Sequence, residues 1–405
     1  MRQWLTNALD QVIHHGQYSN LYLRNHLHQL NEKDRALATR IFYGTIQNHL
    51  LCRSVWKQYV KKNPSPITRI VLDMSVYQLL FLDKVPRYAI IDQAVSIVKR
   101  KKQAESKLVN AILHKIDDQS IQWPEDKIER CAMETSCPLW LIQMWNTQYG
   151  WDRASQMARA SLHILPLYVR INNMKETPLD ESYIPVEKDM YIATKDSVMQ
   201  TQEYLEGRIS IQDLGSYQIA QFMDVQKGDS VLDCCGAPGT KTFAMAEACQ
   251  DACRIDSMDI HAHRVQLIKN DAKRLGITNV NAICQDATKL EGFKEYDRIL
   301  CDVPCSGYGV LARKPDIKLH MKPEDMDTLI PLQASILDSA SKHLKDNGIL
   351  VYSTCTCNKK ENEKQVEKFL SQHPNFELLE QRTIFPDEKN DGFYMAKMQY
   401  KKSMI

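Results

Sequence analysis

Hydrophobic residues recur at helical spacing through the first 118 residues, where glycine is scarce and alternating strand-like patterns are few. The pattern predicts helices over four stretches: Arg35–Leu51, Ile70–Phe81, Ile90–Lys101 and Lys107–Ile116. Asn31, with Asp34 three residues later, has a residue type that caps helices, so we expect it to cap the first of them. We therefore predict an all-helical domain over residues 1–118.

From about residue 206 onward, short apolar runs alternate with amphipathic helical patterns. Strands are predicted at Ser230–Asp233, Arg254–Ile260, Val280–Gln285, Arg298–Val303 and Ile349–Ser353. Helices are predicted between them at Lys241–Cys249, His261–Leu275 and Leu329–Leu344. Such alternation is typical of a mostly parallel, doubly wound sheet, so we predict an α/β, Rossmann-like domain over residues 206–405.

The intervening residues 119–205 show neither pattern and are predicted to form a small connector domain. A strand is predicted over Pro166–Asn172, and aromatic residues cluster before it on a helical segment at Trp140, Trp145, Tyr149 and Trp151. Aromatic side chains beside a basic surface can stack on nucleic-acid bases, although such residues more often form a core. We favour the core interpretation for this cluster.

The formal net charge of +2 conceals an uneven distribution. Residues 1–118 contain 18 Lys and Arg against 9 Asp and Glu, a net +9, while the rest of the chain carries a net −7. Basic charge concentrated in one domain indicates a polyanionic partner, and a solvated helical surface is the alternative that charge alone leaves open. The same two interpretations apply to the basic run Lys99–Lys102.

Twelve cysteines raise the question of disulfides or a metal site. No apolar leader of the secretory type and no paired Cys-x-x-Cys knuckles are present, so we predict reduced thiols and no metal. The longest apolar stretch, Val76–Leu82, is far shorter than the ~20 residues that a membrane helix needs. We expect a soluble, cytoplasmic protein with no membrane partner.

Candidate ligand-binding residues fall at the carboxyl ends of the predicted strands, where ligands bind in such sheets. The loop Asp233–Lys241 is rich in small residues, but it is neither a G-x-G-x-x-G nor a Walker sequence. Asp233, Asp259 and Asp286 lie at the ends of the first three predicted strands. One such aspartate is usually a turn residue, whereas three at successive strand ends indicate a nucleoside-binding pocket.

Two cysteines, Cys305 and Cys355, come after the fourth and fifth strands. A buried free cysteine is often only a small apolar residue. Since adjacent parallel strands would bring these two loops together above the predicted pocket, we interpret both thiols as chemically active.

Three short stretches of the helical region, Leu30–Ala36, Ile70–Phe81 and Ala89–Val95, resemble the NusB domain, which implies RNA binding. The later region resembles the RNA (cytosine-C5) methyltransferases of the NOL1/NOP2/Sun family, in particular the bacterial RsmB/Sun type that acts on 16S rRNA. The matching stretches are Leu232–Thr242, Asp302–Gly309, Arg313–Lys318, Tyr352–Asn362 and Asp391–Ala396. The sequence departs from the family pattern at Gly236, Thr240 and Ala312.

The resemblance implies that S-adenosylmethionine is the cofactor and that carbon 5 of a cytosine in 16S rRNA is methylated by a monomer that does not act on DNA. It implies that Cys355 is the nucleophile, that Cys305 assists release, and that Asp302 and Lys241 hold or orient the base. The implied cofactor-binding residues are Cys235, Gly236, Ala237, Pro238, Gly239, Thr240, Lys241, Asp259, Arg264, Asp286 and Asp302. The alternatives are a methyltransferase of the same chemistry that acts on another RNA such as tRNA, a DNA cytosine methyltransferase, and a non-catalytic RNA-binding scaffold.

Overall fold

Helices make up the first 163 residues, and sheets organise most of the chain after them. The computed structural model describes residues 1–195 and 197–402. One unit consists of residues 1–163 with residues 311–321, and the other consists of residues 164–310 with the chain from Lys322 onward. No helix among the described residues is long and apolar enough to cross a membrane.

The first unit confirms the all-helical prediction. Its helices up to residue 163 are α1 (Arg2–Ile13), α2 (Ser19–His26), α3 (Glu32–Gln47), α4 (His49–Lys57), α5 (Pro66–Phe81), α6 (Arg87–Lys101), α7 (Ser106–Lys115), α8 (Lys127–Thr135), α9 (Leu139–Tyr149) and α10 (Trp151–Ala160). Trp145 is completely buried, as the core interpretation predicts, whereas Trp140, Tyr149 and Trp151 are half-buried.

The prediction of one helix over Arg35–Leu51 was wrong, because the helix breaks at Asn48 and continues as α4. The Asn48 side chain donates to the carbonyl of Gly44 at 2.9 Å, which competes with the backbone hydrogen bonds of the last turn. Asn31 does occupy the N-cap position of α3, but its side chain accepts no capping hydrogen bond, so the predicted cap is not formed.

A small antiparallel sheet opens the second unit. Its strand order is β2-β3-β1-β4, and the strands are β1 (Tyr168–Ile171), β2 (Tyr183–Glu187), β3 (Met190–Ala193) and β4 (Ile209–Ile211). Two helices flank its last strand, α11 (Gln202–Leu205) before β4 and α12 (Leu214–Phe222) after it. The predicted strand at Pro166–Asn172 is therefore present and slightly shorter.

The larger sheet has seven strands in the order β10-β11-β9-β8-β5-β6-β7. Its strands are β5 (Ser230–Asp233), β6 (Arg254–Asp259), β7 (Val280–Cys284), β8 (Tyr296–Asp302), β9 (Leu344–Thr354), β10 (Phe376–Ile384) and β11 (Phe393–Tyr400). The helices between its strands include α13 (Thr240–Ala248), α14 (Ala262–Leu275), α16 (Met326–Ser341) and α17 (Glu363–Gln372). All five predicted strands are confirmed as a parallel set, and two antiparallel strands extend it.

The segment between Val310 and Lys322 packs with the helical unit rather than with the sheet from which it emerges. It carries the short helix α15 (Ile317–His320). The buried Lys318 ammonium donates to the Thr135 carbonyl at 2.8 Å, and Ser19 hydrogen-bonds to the Asp316 carboxylate. These contacts attach residues 311–321 to α2 and α8.

The prediction that all cysteines are reduced was wrong for one pair. Cys249 and Cys253 form a disulfide with their Cα atoms 6.1 Å apart. The turn after α13 reverses the chain toward β6, which brings the two side chains together despite their separation of only four residues. The other ten cysteines, all within the described residues, carry reduced thiols.

Candidate active site

The loop after β5 makes a tight approach to the neighbouring strand. An added Cβ at Gly236 would lie 2.1 Å from the Ser257 Oγ atom on β6, so no larger residue fits there without a shift. Next to it the Thr242 hydroxyl donates to Asp233 at 2.6 Å and lies 2.9 Å from the Ser257 hydroxyl. Gly236 departs from the family pattern, and the Ser257 hydroxyl occupies the space that a side chain at this position would need.

The same loop leads into α13 through Gly239, whose backbone conformation would be strained for any other residue type. Gly239 has φ +112°, in the left-handed region that favours glycine, and α13 begins at the next residue. The carbonyl of Thr240 accepts a hydrogen bond from the Arg170 guanidinium of β1 at 3.0 Å. Arg170 also binds both carboxylate oxygens of Glu247 at 2.7 and 2.9 Å, and this buried ion pair fixes the start and the last turn of α13.

A pocket opens above this loop at the carboxyl ends of the parallel strands. Its lining consists of Asp233, Cys235, Gly236, Ala237, Pro238, Thr240, Lys241 and Asp302. Most of the residues predicted from the sequence to bind the cofactor therefore surround one cavity. Asp233 is completely buried, and this burial raises its pKa to about 6.

Asp259 and Arg264 extend the same edge of the sheet. The Asp259 carboxylate is buried, pairs with the Arg264 guanidinium at 3.0 Å and accepts from the His261 amide at 2.9 Å. Arg264 also donates to the Ala237 carbonyl at 2.8 Å, which ties the end of β6 to the loop after β5. Asp286 lies just after β7, where its carboxylate accepts from the Thr288 amide and hydroxyl.

Asp302 and Lys241 form an ion pair on the wall of the pocket. The Lys241 ammonium lies 2.7 Å from one Asp302 carboxylate oxygen, and the Ser353 hydroxyl donates to the other at 2.8 Å. Burial alone would lower the pKa of Lys241, but the adjacent Asp302 carboxylate outweighs burial and raises it. The lysine is therefore charged and holds the aspartate in one orientation.

The two candidate catalytic thiols meet directly. Asp302 and Ser353 are register partners on the parallel strands β8 and β9, so the loops after these strands run side by side. The sulfur atoms of Cys305 and Cys355 lie 3.1 Å apart, and the Cys355 amide donates to the Cys305 sulfur at 3.2 Å. The hydrogen bond with Cys355 and burial raise the pKa of Cys305 well above its usual range.

Two backbone hydrogen bonds connect the Cys355 loop to Gly309 and Gly392. The Gly309 amide donates to the Cys355 carbonyl at 3.1 Å, and the Gly392 amide donates to the Gly309 carbonyl at 2.7 Å. A Cβ at Gly309 would lie 2.1 Å from the Gly392 carbonyl oxygen, so this crossing requires glycine. The C-terminal stretch that begins at Asp391 thus supports the Cys355 loop.

Comparison with known proteins identifies the family. A model described as 16S rRNA methyltransferase RsmB/F matches residues 220–399, and the NusB family model matches residues 1–118. The Bacillus subtilis protein named "Probable ribosomal RNA small subunit methyltransferase B" is 36% identical over 401 residues, which cover 93% of this chain and 89% of that protein. This chain belongs to the ribosomal RNA small subunit methyltransferase B family. As a member it is an S-adenosylmethionine-dependent methyltransferase that acts on ribosomal RNA.

Solved structures agree with the fold of this family. The crystal structure of PH0851 is similar over 99% of both chains, with a TM-score of 0.82 and 23% identity. NSun6 from Pyrococcus horikoshii, crystallised with SFG, is similar over 66% of this chain and 99% of its own, with a TM-score of 0.59 and 19% identity. At these identities the likeness confirms the fold.

Several residues that contact the site could not be identified from the sequence. Arg170 is far from the site in sequence and reaches Thr240 only because the small sheet packs on α13. Ser257 and Ser353 are ordinary strand residues whose hydroxyls become informative only through their neighbours. Glu361 lies within the matched stretch Tyr352–Asn362, but the sequence does not predict its buried hydrogen bonds.

Proposed function

We propose that this methyltransferase transfers a methyl group to carbon 5 of a cytosine in 16S rRNA through a covalent adduct with Cys355. The observation that carries the proposal is the 3.1 Å approach of the Cys305 and Cys355 sulfur atoms on the loops after β8 and β9. Strand β8 ends at Asp302, which lines the pocket together with its ion-pair partner Lys241. A single thiol would suffice for attack alone, whereas two thiols on adjacent loops suit attack and subsequent release.

The chemistry requires a covalent step because carbon 5 of cytosine is a poor nucleophile. The Cys355 thiolate forms a bond to carbon 6, and the ring electrons move to make carbon 5 nucleophilic. Carbon 5 would then bond to the methyl group that S-adenosylmethionine supplies as an electrophile, while the bond between that methyl group and the sulfonium sulfur breaks and S-adenosylhomocysteine is left. Loss of the carbon-5 proton to a base re-forms the ring double bond and breaks the bond between carbon 6 and sulfur.

Cys305 would assist the last of these events. Because its pKa is raised, its sulfur carries a proton at neutral pH, and that S–H lies within reach of the Cys355 sulfur. A hydrogen bond from this thiol stabilises the sulfur as a thiolate, both before attack and as it leaves carbon 6. Asp302, held by Lys241, would accept hydrogen bonds from the cytosine edge.

The residues around the loop after β5 fit S-adenosylmethionine. Gly236 and Gly239 let the loop pack tightly against the Ser257 and Phe243 side chains, and Gly236 also lines the pocket. Asp259 can accept hydrogen bonds from ribose hydroxyls, with Arg264 fixing its carboxylate, and Asp286 lies at the next strand end for the adenine. Lys241 completes the lining beside Asp302.

RNA would reach this pocket with help from the helical region. The N-terminal 118 residues match the NusB family, carry a net +9 charge and expose the run Lys99–Lys102. Basic side chains in this arrangement suit contact with phosphates. The target cytosine must leave its stack to enter the pocket. We keep the division into an RNA-binding domain (1–118), a connector (119–205) and a catalytic domain (206–405), with a monomer as the active species.

Two cysteine variants test the proposal on 16S rRNA, with 5-methylcytosine mapped in the product. Cys355→Ala should abolish methylation, and Cys305→Ala should accumulate a protein–RNA adduct that migrates as a shifted band on a denaturing gel. Cys284→Ala, which removes an exposed free thiol, serves as the matched control and should behave as wild type. Normal methylation by Cys355→Ala would overturn the nucleophile assignment, and methylation of tRNA but not rRNA would overturn the substrate.

A further inference from the structure

Glu361 is a completely buried carboxylate that is not part of the pocket lining. Its Oε1 atom accepts hydrogen bonds from the Ser306 amide at 2.9 Å and the Gln333 side chain at 3.0 Å. Its Oε2 atom accepts from the Ser306 hydroxyl at 2.6 Å and the Asn358 side chain at 2.9 Å. Four donors thus satisfy a charge that would otherwise be costly to bury.

These contacts connect the two cysteine loops to each other. Ser306 comes directly after Cys305, and its hydroxyl lies 2.6 Å from the hydroxyl of Thr356, which comes directly after Cys355. A carboxylate only accepts hydrogen bonds, so Ser306 donates to Glu361 and must accept from Thr356. The carboxylate therefore sets the direction of a hydroxyl chain that spans both loops.

The same glutamate is itself held rigidly. Its carbonyl oxygen accepts from the Tyr352 hydroxyl at 2.6 Å, and the neighbouring Asn362 side chain donates to the Thr356 carbonyl at 2.9 Å. Asn362 also accepts from the Thr354 hydroxyl at 2.6 Å. Residues on both sides of Cys355 are thus fixed by the turn that carries Glu361.

We propose that Glu361 is a positioning residue for the release step, and that it acts through Ser306 and Thr356 to hold the Cys305 sulfur against the Cys355 sulfur. The inference rests on the proposed covalent mechanism and adds a third component to it. Cys355 directly follows β9, and the Asn362 side chain holds the residues on both sides of it, so its place does not depend on the Glu361 carboxylate alone. Cys305, in contrast, lies on a loop whose next residue is bound to that carboxylate. Loss of Glu361 should therefore impair release more than attack.

Glu361→Gln tests the inference, because an amide offers only one acceptor oxygen to the four donors. Single-turnover reactions with 16S rRNA would measure the rate of adduct formation and the rate of adduct decay separately. We expect decay to slow at least about tenfold, since a misplacement of about 1 Å can cost about 100-fold in rate. Adduct formation should stay within about threefold of wild type, so that the adduct accumulates.

Asn172→Leu is the matched control for a general loss of stability. Asn172 is also buried in the sheet-containing unit, and its side chain donates to the carbonyls of Gly207 and Leu275, away from the cysteine loops. This variant should be less stable but should keep the wild-type ratio of adduct to product. An equal fall of both rates in Glu361→Gln would indicate a purely structural role and would overturn the inference.

Ser306→Ala provides a second route if Glu361→Gln fails to fold. This variant removes the hydroxyl hydrogen bonds of residue 306 but keeps the hydrogen bond from its backbone amide to Glu361. It too should accumulate adduct, and decay of the adduct at the wild-type rate would overturn the inference. Cys305→Ala, run in parallel, separates this inference from the function on which it rests. Absence of adduct in Cys305→Ala would reject the covalent mechanism and the inference together, whereas adduct there with normal decay in Glu361→Gln would reject the inference alone.

Discussion

Replacement of Arg170 by methionine should destabilise the sheet-containing unit by about 3–5 kcal/mol. The substitution would leave the Glu247 carboxylate buried at 2% exposure without the guanidinium that now binds both of its oxygens. Removing one partner of a buried pair typically costs about 3–5 kcal/mol, because the remaining charge stays desolvated. In a unit of this size the loss corresponds to a fall in the unfolding midpoint of roughly 6–20 °C.

The positions of the tryptophans allow this loss to be assigned to one unit. All six tryptophans of the chain lie between residues 4 and 151, so tryptophan fluorescence reports the helical unit alone. Hydrogen exchange of the α13 amides would monitor the unit that contains Arg170. Protection of these amides should fall while the fluorescence transition stays in place.

A double-mutant cycle supplies the control. Arg170→Met combined with Glu247→Leu removes both charges, so it should be substantially more stable than Arg170→Met alone, since two apolar residues leave no buried ion. Arg170→Lys should fall between the wild type and Arg170→Met, because lysine keeps the charge but not the two-pronged geometry. A loss below about 1 kcal/mol for Arg170→Met, or simple additivity in the cycle, would refute the reasoning.

Three further predictions concern the same unit. Burial raises the pKa of Asp233 to about 6, so the folded state holds this proton more tightly than the unfolded state does. The free energy of unfolding should therefore fall as pH rises from about 4 to 6. In urea titrations Asp233→Asn should be up to about 3 kcal/mol more stable than wild type at pH 8 and about equal to it at pH 4. Gly236→Ala should lower the unfolding midpoint, and adding Ser257→Ala should restore most of it, because the new methyl would lie 2.1 Å from that hydroxyl. Thiol alkylation of the denatured protein before and after reduction should show two more reactive thiols after reduction, mapped by mass spectrometry to Cys249 and Cys253.

Each of these has a clear contrary result. A difference between Asp233→Asn and wild type that does not change with pH would show that the carboxyl does not titrate in the expected window. Failure of Ser257→Ala to rescue Gly236→Ala would mean that the strain arises elsewhere. Alkylation of both cysteines without a reductant would contradict the disulfide.

The sequence sufficed for the central strands because their apolar runs are short, buried and bounded by helices. Ser230–Asp233 was predicted to the residue, and the acids and cysteines at the strand ends did converge on one edge of the sheet. Topology explains this success, since all five strands are parallel and their carboxyl ends must lie together.

Features that depend on distant partners were missed. Strands β10 and β11 pair antiparallel with each other, β11 pairs antiparallel with β9, and no local periodicity specifies that pairing. The Arg170–Glu247 pair likewise joins residues 77 positions apart. The local pattern of hydrophobic and polar residues does not predict contacts between residues that are far apart in the chain.

Residues 311–321 have a practical consequence for anyone who wishes to dissect or recombine this protein. The chain departs from the sheet-containing unit at Val310, lends eleven residues to the helical unit and comes back at Lys322, so neither unit is encoded by one uninterrupted stretch. A fragment that ends at residue 163 lacks Asp316 and Lys318, and a fragment that starts at residue 164 carries Lys318 without the Thr135 carbonyl that it binds. Swapping the front half of this enzyme for that of a relative would therefore require grafting the loop as well.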